Sequence, residues 1–419
     1  MRKFQQKKIY KYAHPEFFAD WEKPDLSSGN VILWGAGRIG GIAAHCLTKV
    51  GIEFTAFCDI AQDKQGTQYC GHQVISPEEL RQNYPDAIVL ISAVFFPKII
   101  ETLNQMGFKK VYNCAALFME IDFDGYDFWM EPEYAIRNIE QYLGTCRFYL
   151  EGNAYIDRLY LYVTSNCTLR CRDCSAMIPY VSSPENYSAD EIMEDLNSVL
   201  NEIGYTRNVN FYGGEPFLHP DLGKMIDRLR EDNRFNRLTI ITNGTLLPSP
   251  ELLNAIQSEP RLHIRISHYG DLSKKADELV ALFTRSGISH EVTNYEYWDS
   301  PTKIGNFNVS ANELSNRFMQ CVSSELTILN GKAYFCAPAA TLCNMRVFPE
   351  SPTNYVDLRD NQNLNSELRD YIERAYSGAY IDACKYCSGM HCSHFEDKVP
   401  VAVQTKELLK IKVLCEEKK

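Results

Sequence analysis

The 419-residue sequence predicts an α/β protein: an N-terminal doubly wound Rossmann-like domain, a central partial (β/α)6 barrel, and a small C-terminal α+β domain. Three observations predict it. Short apolar strands alternate with amphipathic stretches over residues 30–120, and the alternation resumes at residue 157. Between the two lies a connector, 121–156, rich in aromatic and acidic residues. After about residue 312 the alternation stops, and Asn330-Gly331 sits between two apolar runs, the strongest short hairpin signal.

Residues 1–29 are polar and aromatic, with Pro24 and Gly29 near their end, and read as an N-terminal arm. Strands are expected at 31–34, 53–58, 87–93 and 110–113, with a helix at 98–106. Gly35-x-Gly37-x-x-Gly40 follows the first strand and opens a helix, and Asp59 lies nineteen residues beyond the last glycine. That context suits a dinucleotide fingerprint, with a phosphate at the helix N-terminus and Asp59 on a ribose hydroxyl. Nucleotide or nucleotide-sugar binding and a plain scaffold role both remain open for this domain. In the barrel, 157–312, strands are expected at 159–164, 208–212, 238–242, 263–267 and 290–295, with helices at 189–202 and 221–230. Chemistry in such barrels sits where the strands end. Residues 313–419 are expected to hold the hairpin, the remaining cysteines and a C-terminal helix.

Composition narrows the function. A net charge of −11 argues against a broad nucleic-acid footprint. No apolar run approaches the roughly 18 residues of a membrane span. Arg2, Lys3, Lys7 and Lys8 precede no apolar stretch of signal-peptide length, so a cytoplasmic protein is expected. Fifteen cysteines in that compartment point to metal or catalysis rather than disulfides. Cys46, Cys58, Cys70, Cys114 and Cys146 stand singly and read as small buried hydrophobes.

Cys167, Cys171 and Cys174 follow the first barrel strand with C-x3-C-x2-C spacing. Structural zinc wants four ligands, and the next histidine is His219. Three thiolates suit a 4Fe-4S cluster with one open iron. Gly213-Gly214-Glu215-Pro216 then closes the next strand, where two glycines permit a turn and close approach by a ligand.

Together these motifs resemble the radical SAM superfamily, over about residues 156–300. The resemblance implies that the open iron binds the amino and carboxylate groups of S-adenosylmethionine. It further implies that one electron, from a flavodoxin- or ferredoxin-type donor, cleaves the sulfonium to a 5′-deoxyadenosyl radical that abstracts hydrogen from substrate. It also places Asn243 and Ser267 at the cofactor alongside Gly213, Gly214 and Glu215. Two positions depart from the family pattern: Asp173 stands where an aromatic residue is usual, and His268 where an acid is frequent. His268 reads either as a catalytic acid or base or as a hydrogen-bonded rim residue.

Cys321, Cys336, Cys384 and Cys387 form a second group, C-x9-G-x4-C followed by C-x2-C. Four closed thiolates fit an auxiliary 4Fe-4S cluster or structural zinc. The pattern resembles the twitch or SPASM extension of radical SAM enzymes, in its one-cluster form, and that favours iron–sulfur. Cys343 and Cys392 are then left over, each an alternative ligand, a buried thiol or a hydrogen-atom donor. The expected function is a radical SAM oxidoreductase or isomerase acting on a carbohydrate or nucleotide-linked sugar. The alternatives are a peptide-modifying member of the same superfamily and a non-enzymatic iron–sulfur or zinc scaffold.

Overall fold

The computed structural model describes residues 24–27, 29–94, 96–118, 132–151, 154–300, 303–321, 325–359, 361–389, 398–411 and 414. The N-terminal arm falls almost wholly outside these residues, as do Cys392, Cys415 and the middle of the expected connector. The chain divides into two compact units between Tyr155 and Ile156.

In the first unit, six strands form one sheet: β1 (Val31–Trp34), β2 (Ala56–Cys58), β3 (Gln68–Tyr69), β4 (His72–Ile75), β5 (Ile88–Ile91) and β6 (Val111–Asn113). Their order is β3-β4-β2-β1-β5-β6, parallel throughout except for the β3–β4 hairpin. Strands β1 and β5 are buried along their whole length, which is why they are continuous apolar runs. The helix Arg38–Lys49 buries Ile39, Ile42, Ala43, Cys46 and Leu47. Strands were expected at 53–58 and 87–93; both are shorter, and the β3–β4 hairpin was not expected. Its strands are short, and only Val74 and Ile75 are apolar and buried, too brief a run to signal a strand. Cys70, at the hairpin turn with φ +47°, is exposed, which corrects its reading as a buried hydrophobe; Cys46, Cys58, Cys114 and Cys146 are buried.

The glycine pattern of this unit has a packing explanation. Gly35 has φ +122°, and a Cβ there would lie 2.8 Å from the Ser92 carbonyl oxygen. At Gly40 a Cβ would lie 2.0 Å from the Gly35 carbonyl oxygen, whereas Gly37 faces open space. Asp59 is buried, and its carboxylate accepts from the amides of Ala36 (2.9 Å) and Ala61 (2.9 Å) and pairs with Lys64 at 3.0 Å. It braces the glycine loop, which gives Asp59 a structural role within the unit.

In the second unit the barrel strands run in chain order: β7 (Arg158–Thr164), β8 (Thr206–Gly213), β9 (Phe235–Thr242), β10 (Leu262–His268) and β11 (Ser289–Asn294). Amphipathic helices Ala189–Ile203, Leu222–Leu229, Pro250–Ser258 and Ala276–Arg285 make the crossovers. Ser188 and Ser249 cap the first and third of these, accepting from Glu191 and Leu252 amides. After β11 the chain does not add the next strand in order. Instead β12 (Tyr297–Asp299) leaves the sheet, and β13 (Glu325–Leu329) pairs parallel with β7 at the opposite edge. β14 (Lys332–Tyr334) and β15 (Val356–Asp357) extend that edge, giving the order β11-β10-β9-β8-β7-β13-β14-β15. The sixth parallel strand of the expected (β/α)6 barrel is thus the first strand of the Asn330-Gly331 hairpin, which continues the barrel sheet rather than starting a sheet of its own.

β12 pairs antiparallel with β16 (Lys398–Pro400). The last α-helix among the described residues is Leu364–Ser377, closed by Gly378 in the left-handed conformation. Residues 401–411 are turns and extended chain, so the expected C-terminal helix is not found there. No helix among the described residues is long and apolar enough to cross a membrane.

Candidate active site

Strand β7 delivers the chain to the cysteine loop. There the Asn166 carbonyl accepts from the Glu215 amide at 2.8 Å, and the Thr164 carbonyl accepts from the Gly214 amide at 2.7 Å. These bonds pull the turn after β8 flush against the loop after β7. Only glycine allows the approach: Gly213 has φ +142°, and a Cβ at Gly214 would lie 2.0 Å from the Asn166 oxygen. Glu215 is fully buried. Its carboxylate accepts from the amides of Asn243 (2.8 Å) and Phe217 (3.1 Å), tying the loop after β8 to the loop after β9. Burial nevertheless pushes its pKa up to about 7. Ser273 completes the frame, its hydroxyl donating to the carbonyls of Asn243 (2.7 Å) and Ser267 (3.3 Å).

The three cysteines face one cavity of about 550 Å3. Gly213, Gly214, Asn243 and Ser267 also line it. The Asn243 side-chain amide points at Cys167 Sγ, 3.5 Å away, and donates to Thr168 Oγ1 at 3.2 Å. Burial pushes the thiols of Cys167 and Cys171 up to about 12. It raises that of Cys174 too, where the backbone amides of residues 176–178 partly offset it, an arrangement suited to anionic sulfur. Thiols this buried become thiolates only beside a cation that compensates the charge, as iron does.

The second group also converges. Cys321, Cys336, Cys384 and Cys387 border one small cavity with Arg317 and Phe348, and Cys321 and Cys336 border the large cavity as well. Among the described residues no three Cys, His, Asp or Glu side chains are gathered tightly enough to share a single metal ion. Cys343, on the helix Ala337–Asn344, packs in the same apolar cluster as Cys167 and Cys174.

His268 is not in the cavity. Arg265, Ser267 and Tyr269 line it, and side chains alternate along β10, so His268 falls on the other face with Ile264 and Ile266. Its Nδ1 is 2.9 Å from Asn294 Oδ1 on β11. The rim reading replaces the catalytic one. Asp173 does line the cavity; it is paired with Arg172 at 2.9 Å and accepts from the Ser300 hydroxyl at 2.8 Å.

Several lining residues were not anticipated: Arg265, Tyr160, Tyr269, Trp298, Asp299 and Glu325. Arg265 is the cavity's guanidinium, and it is held by Glu291 of β11 at 2.6 Å. His263, at 3.7 Å, together with Arg265 draws the Glu291 carboxyl down to about 2. A depressed carboxyl stabilises the fold above its unfolded value near 4.5, and that stability is lost as pH falls from 4.5 towards 2. Glu291→Gln is therefore expected to cost on the order of 1 kcal/mol at pH 7, given solvent screening. The gap to wild type should narrow below pH 4.5 and close only near pH 2 in denaturant titrations.

Residues 161–282 match the family model described as Radical SAM superfamily. The chain carries a radical SAM domain. The matched segment holds both motifs, Cys167-x3-Cys171-x2-Cys174 and Gly213-Gly214-Glu215-Pro216. A second model, described as C2185-like, N-terminal, matches residues 27–111. The GTP 3′,8-cyclase of Clostridium acetobutylicum is 34% identical over 94 residues, 22% of this chain and 29% of that protein. The S-adenosylmethionine-dependent nucleotide dehydratase of Selenomonas ruminantium is 31% identical over 93 residues, 22% of this chain and 32% of that one. The chain thus spans less than a third of the length of these curated relatives. Among solved structures, BtrN in complex with AdoMet and 2-DOIA is 17% identical with a TM-score of 0.38, covering 61% of this chain and 98% of that one. Streptococcus suis SuiB bound to S-adenosylmethionine is 12% identical with a TM-score of 0.35, covering 71% and 84%. At these scores the structural likenesses carry no argument about function.

Proposed function

We propose that this chain is a radical SAM oxidoreductase that abstracts hydrogen from a carbohydrate, nucleotide-linked sugars included. In this reading Cys167, Cys171 and Cys174 hold the 4Fe-4S cluster that binds S-adenosylmethionine. Cys321, Cys336, Cys384 and Cys387 hold an auxiliary 4Fe-4S cluster in a twitch-type extension over 313–419. One observation carries the reading: the first three cysteines share a single cavity with Cys321 and Cys336. A substrate in that cavity lies between the two cysteine groups, which suits chemistry that starts with a radical and ends with an electron leaving.

When bound at Cys167, Cys171 and Cys174, the cluster would supply, from a flavodoxin- or ferredoxin-type donor, the electron for reductive cleavage of S-adenosylmethionine. The chain's own residues bind and orient. Gly213 and Gly214 leave room for the cofactor's amino-acid end, and Asn243 and Ser267 offer it polar partners. Tyr160, Tyr212, Tyr269 and Trp298 present aromatic walls, and Asp173, Asp299 and Glu325 present carboxylates. Aromatic faces for C–H surfaces and carboxylates for hydroxyls together suit a polyhydroxylated ring. The names of the two relatives, which speak of GTP and of a nucleotide, support the nucleotide-linked form. For the first unit, the engagement of Asp59 with the glycine loop favours a scaffold role over dinucleotide binding.

Anaerobic reconstitution is expected to give about eight irons per chain. A panel of sugars and nucleotide sugars should accelerate 5′-deoxyadenosine formation, with the active member consumed in proportion. About four irons would remove the auxiliary cluster. Acceleration by peptides and by no sugar would replace the substrate class.

A further inference from the structure

After β16 the chain runs back across the cysteine loop. Ala402, buried and in the left-handed region at φ +53°, turns it. Backbone pairing follows: the Arg172 amide donates to the Val403 carbonyl at 2.8 Å, and the Thr405 amide donates to the Arg170 carbonyl at 2.9 Å. Gln404 stands opposite Cys171 in this short bridge. Further on, the Leu409 amide donates to the Pro179 carbonyl at 2.9 Å. The strap begins at the cavity rim, because β16 pairs with β12, whose Tyr297, Trp298 and Asp299 line it.

The Gln404 side chain is held at three points. Its Oε1 accepts from the Arg170 amide at 2.8 Å. Its Nε2 donates to the Ala402 carbonyl at 2.8 Å and to Cys171 Sγ at 3.1 Å. The orientation follows from chemistry, since exchanging the two ends would set NH2 against the Arg170 N–H and a carbonyl against sulfur. Cys171 is 6% exposed although Gln404, which covers it, faces solvent. The strap is a single layer of chain between a cluster ligand and water.

We propose, resting on the assignment of Cys171 as a cluster ligand, that Gln404 is a positioning residue for the S-adenosylmethionine-binding cluster. It fixes the Cys171 sulfur in its ligating orientation, and its N–H stabilises the added negative charge when the cluster is reduced. Hydrogen bonds to the sulfurs are among the factors that set the potential of such clusters, and a donor raises it. Outer partners of metal ligands typically change metal affinity or activity 10–100-fold when replaced.

The test compares full-length wild type, Gln404→Leu and Gln404→Glu after anaerobic reconstitution. The readout is the midpoint potential of the paramagnetic signal that changes on adding S-adenosylmethionine. Both variants should have a more negative midpoint, Gln404→Glu the more so because it adds a charge beside the sulfur. Formation of 5′-deoxyadenosine at limiting reductant should slow about 10-fold. Loss of that signal alone, with the auxiliary cluster retained, also upholds the proposal. An unchanged midpoint at full iron content in both variants overturns it. A wild type with no signal responsive to S-adenosylmethionine overturns the proposed function instead, so the two failures are told apart.

Discussion

Replacing Cys167, Cys171 and Cys174 together by Ala is expected to abolish 5′-deoxyadenosine formation, a loss of roughly 1,000-fold or more, because the cluster and not the protein supplies the electron. Iron should fall from about eight to about four per chain, the remainder sitting in the auxiliary site. The converse variant, Cys384→Ala with Cys387→Ala, should show a similar drop in iron but still cleave S-adenosylmethionine. Its substrate would be left at the radical stage, so 5′-deoxyadenosine would accumulate without matching product. Retained cleavage in the triple variant would sink the central assignment.

Gly214→Ala is the second large effect. The new Cβ would fall 2.0 Å from the Asn166 carbonyl oxygen and 3.2 Å from Cys167 Cβ, and the first contact is backbone, which cannot swing aside. Relief requires the loop after β7 to move, and that loop carries the cysteines. The expected cost is about 2–3 kcal/mol of stability, from overpacking and backbone strain. Iron uptake at the first site should fall with it. Gly213→Ala adds a left-handed φ of +142° to a 2.3 Å contact with the Thr164 oxygen and should behave no better. Thermal melts of the apo proteins separate the stability loss from the loss of iron. A variant with wild-type melting and full iron would show that the glycines serve some purpose other than this close approach.

Much of the site was legible because its chemistry sits in short, local motifs. The cysteine loop and the Gly-Gly turn each fall directly after an apolar strand, so spacing alone put them at strand ends. The residues that were missed, or misread, come from longer-range rules. In His263-Ile264-Arg265-Ile266-Ser267-His268 the strict alternation already puts Arg265 on the Ser267 face and His268 on the other. The parity was there to be read, and it would have corrected the catalytic histidine. The position of β13 was not readable, since nothing in Leu326-Thr327-Ile328-Leu329 says that it will seek the edge of β7 rather than follow β11. Gln404 was likewise silent: a glutamine in a polar tail gains meaning only from the loop it lies upon. In the first unit, packing already requires Gly35 and Gly40, so the glycine motif does not by itself decide between ligand binding and a scaffold role.

The strap over Cys171 also orders events during synthesis. Gln404 lies 233 residues beyond the cysteine it contacts. At typical elongation rates the loop leaves the ribosome on the order of 10–50 s before its cover exists. The outer edge of β7 waits about two-thirds as long for β13, which comes more than 150 residues later. During that interval the cysteine loop is open to iron delivery or to oxidants. Chain made long after the loop therefore decides when the site stops being accessible, and a product truncated before Gln404 would carry Cys167, Cys171 and Cys174 without that cover.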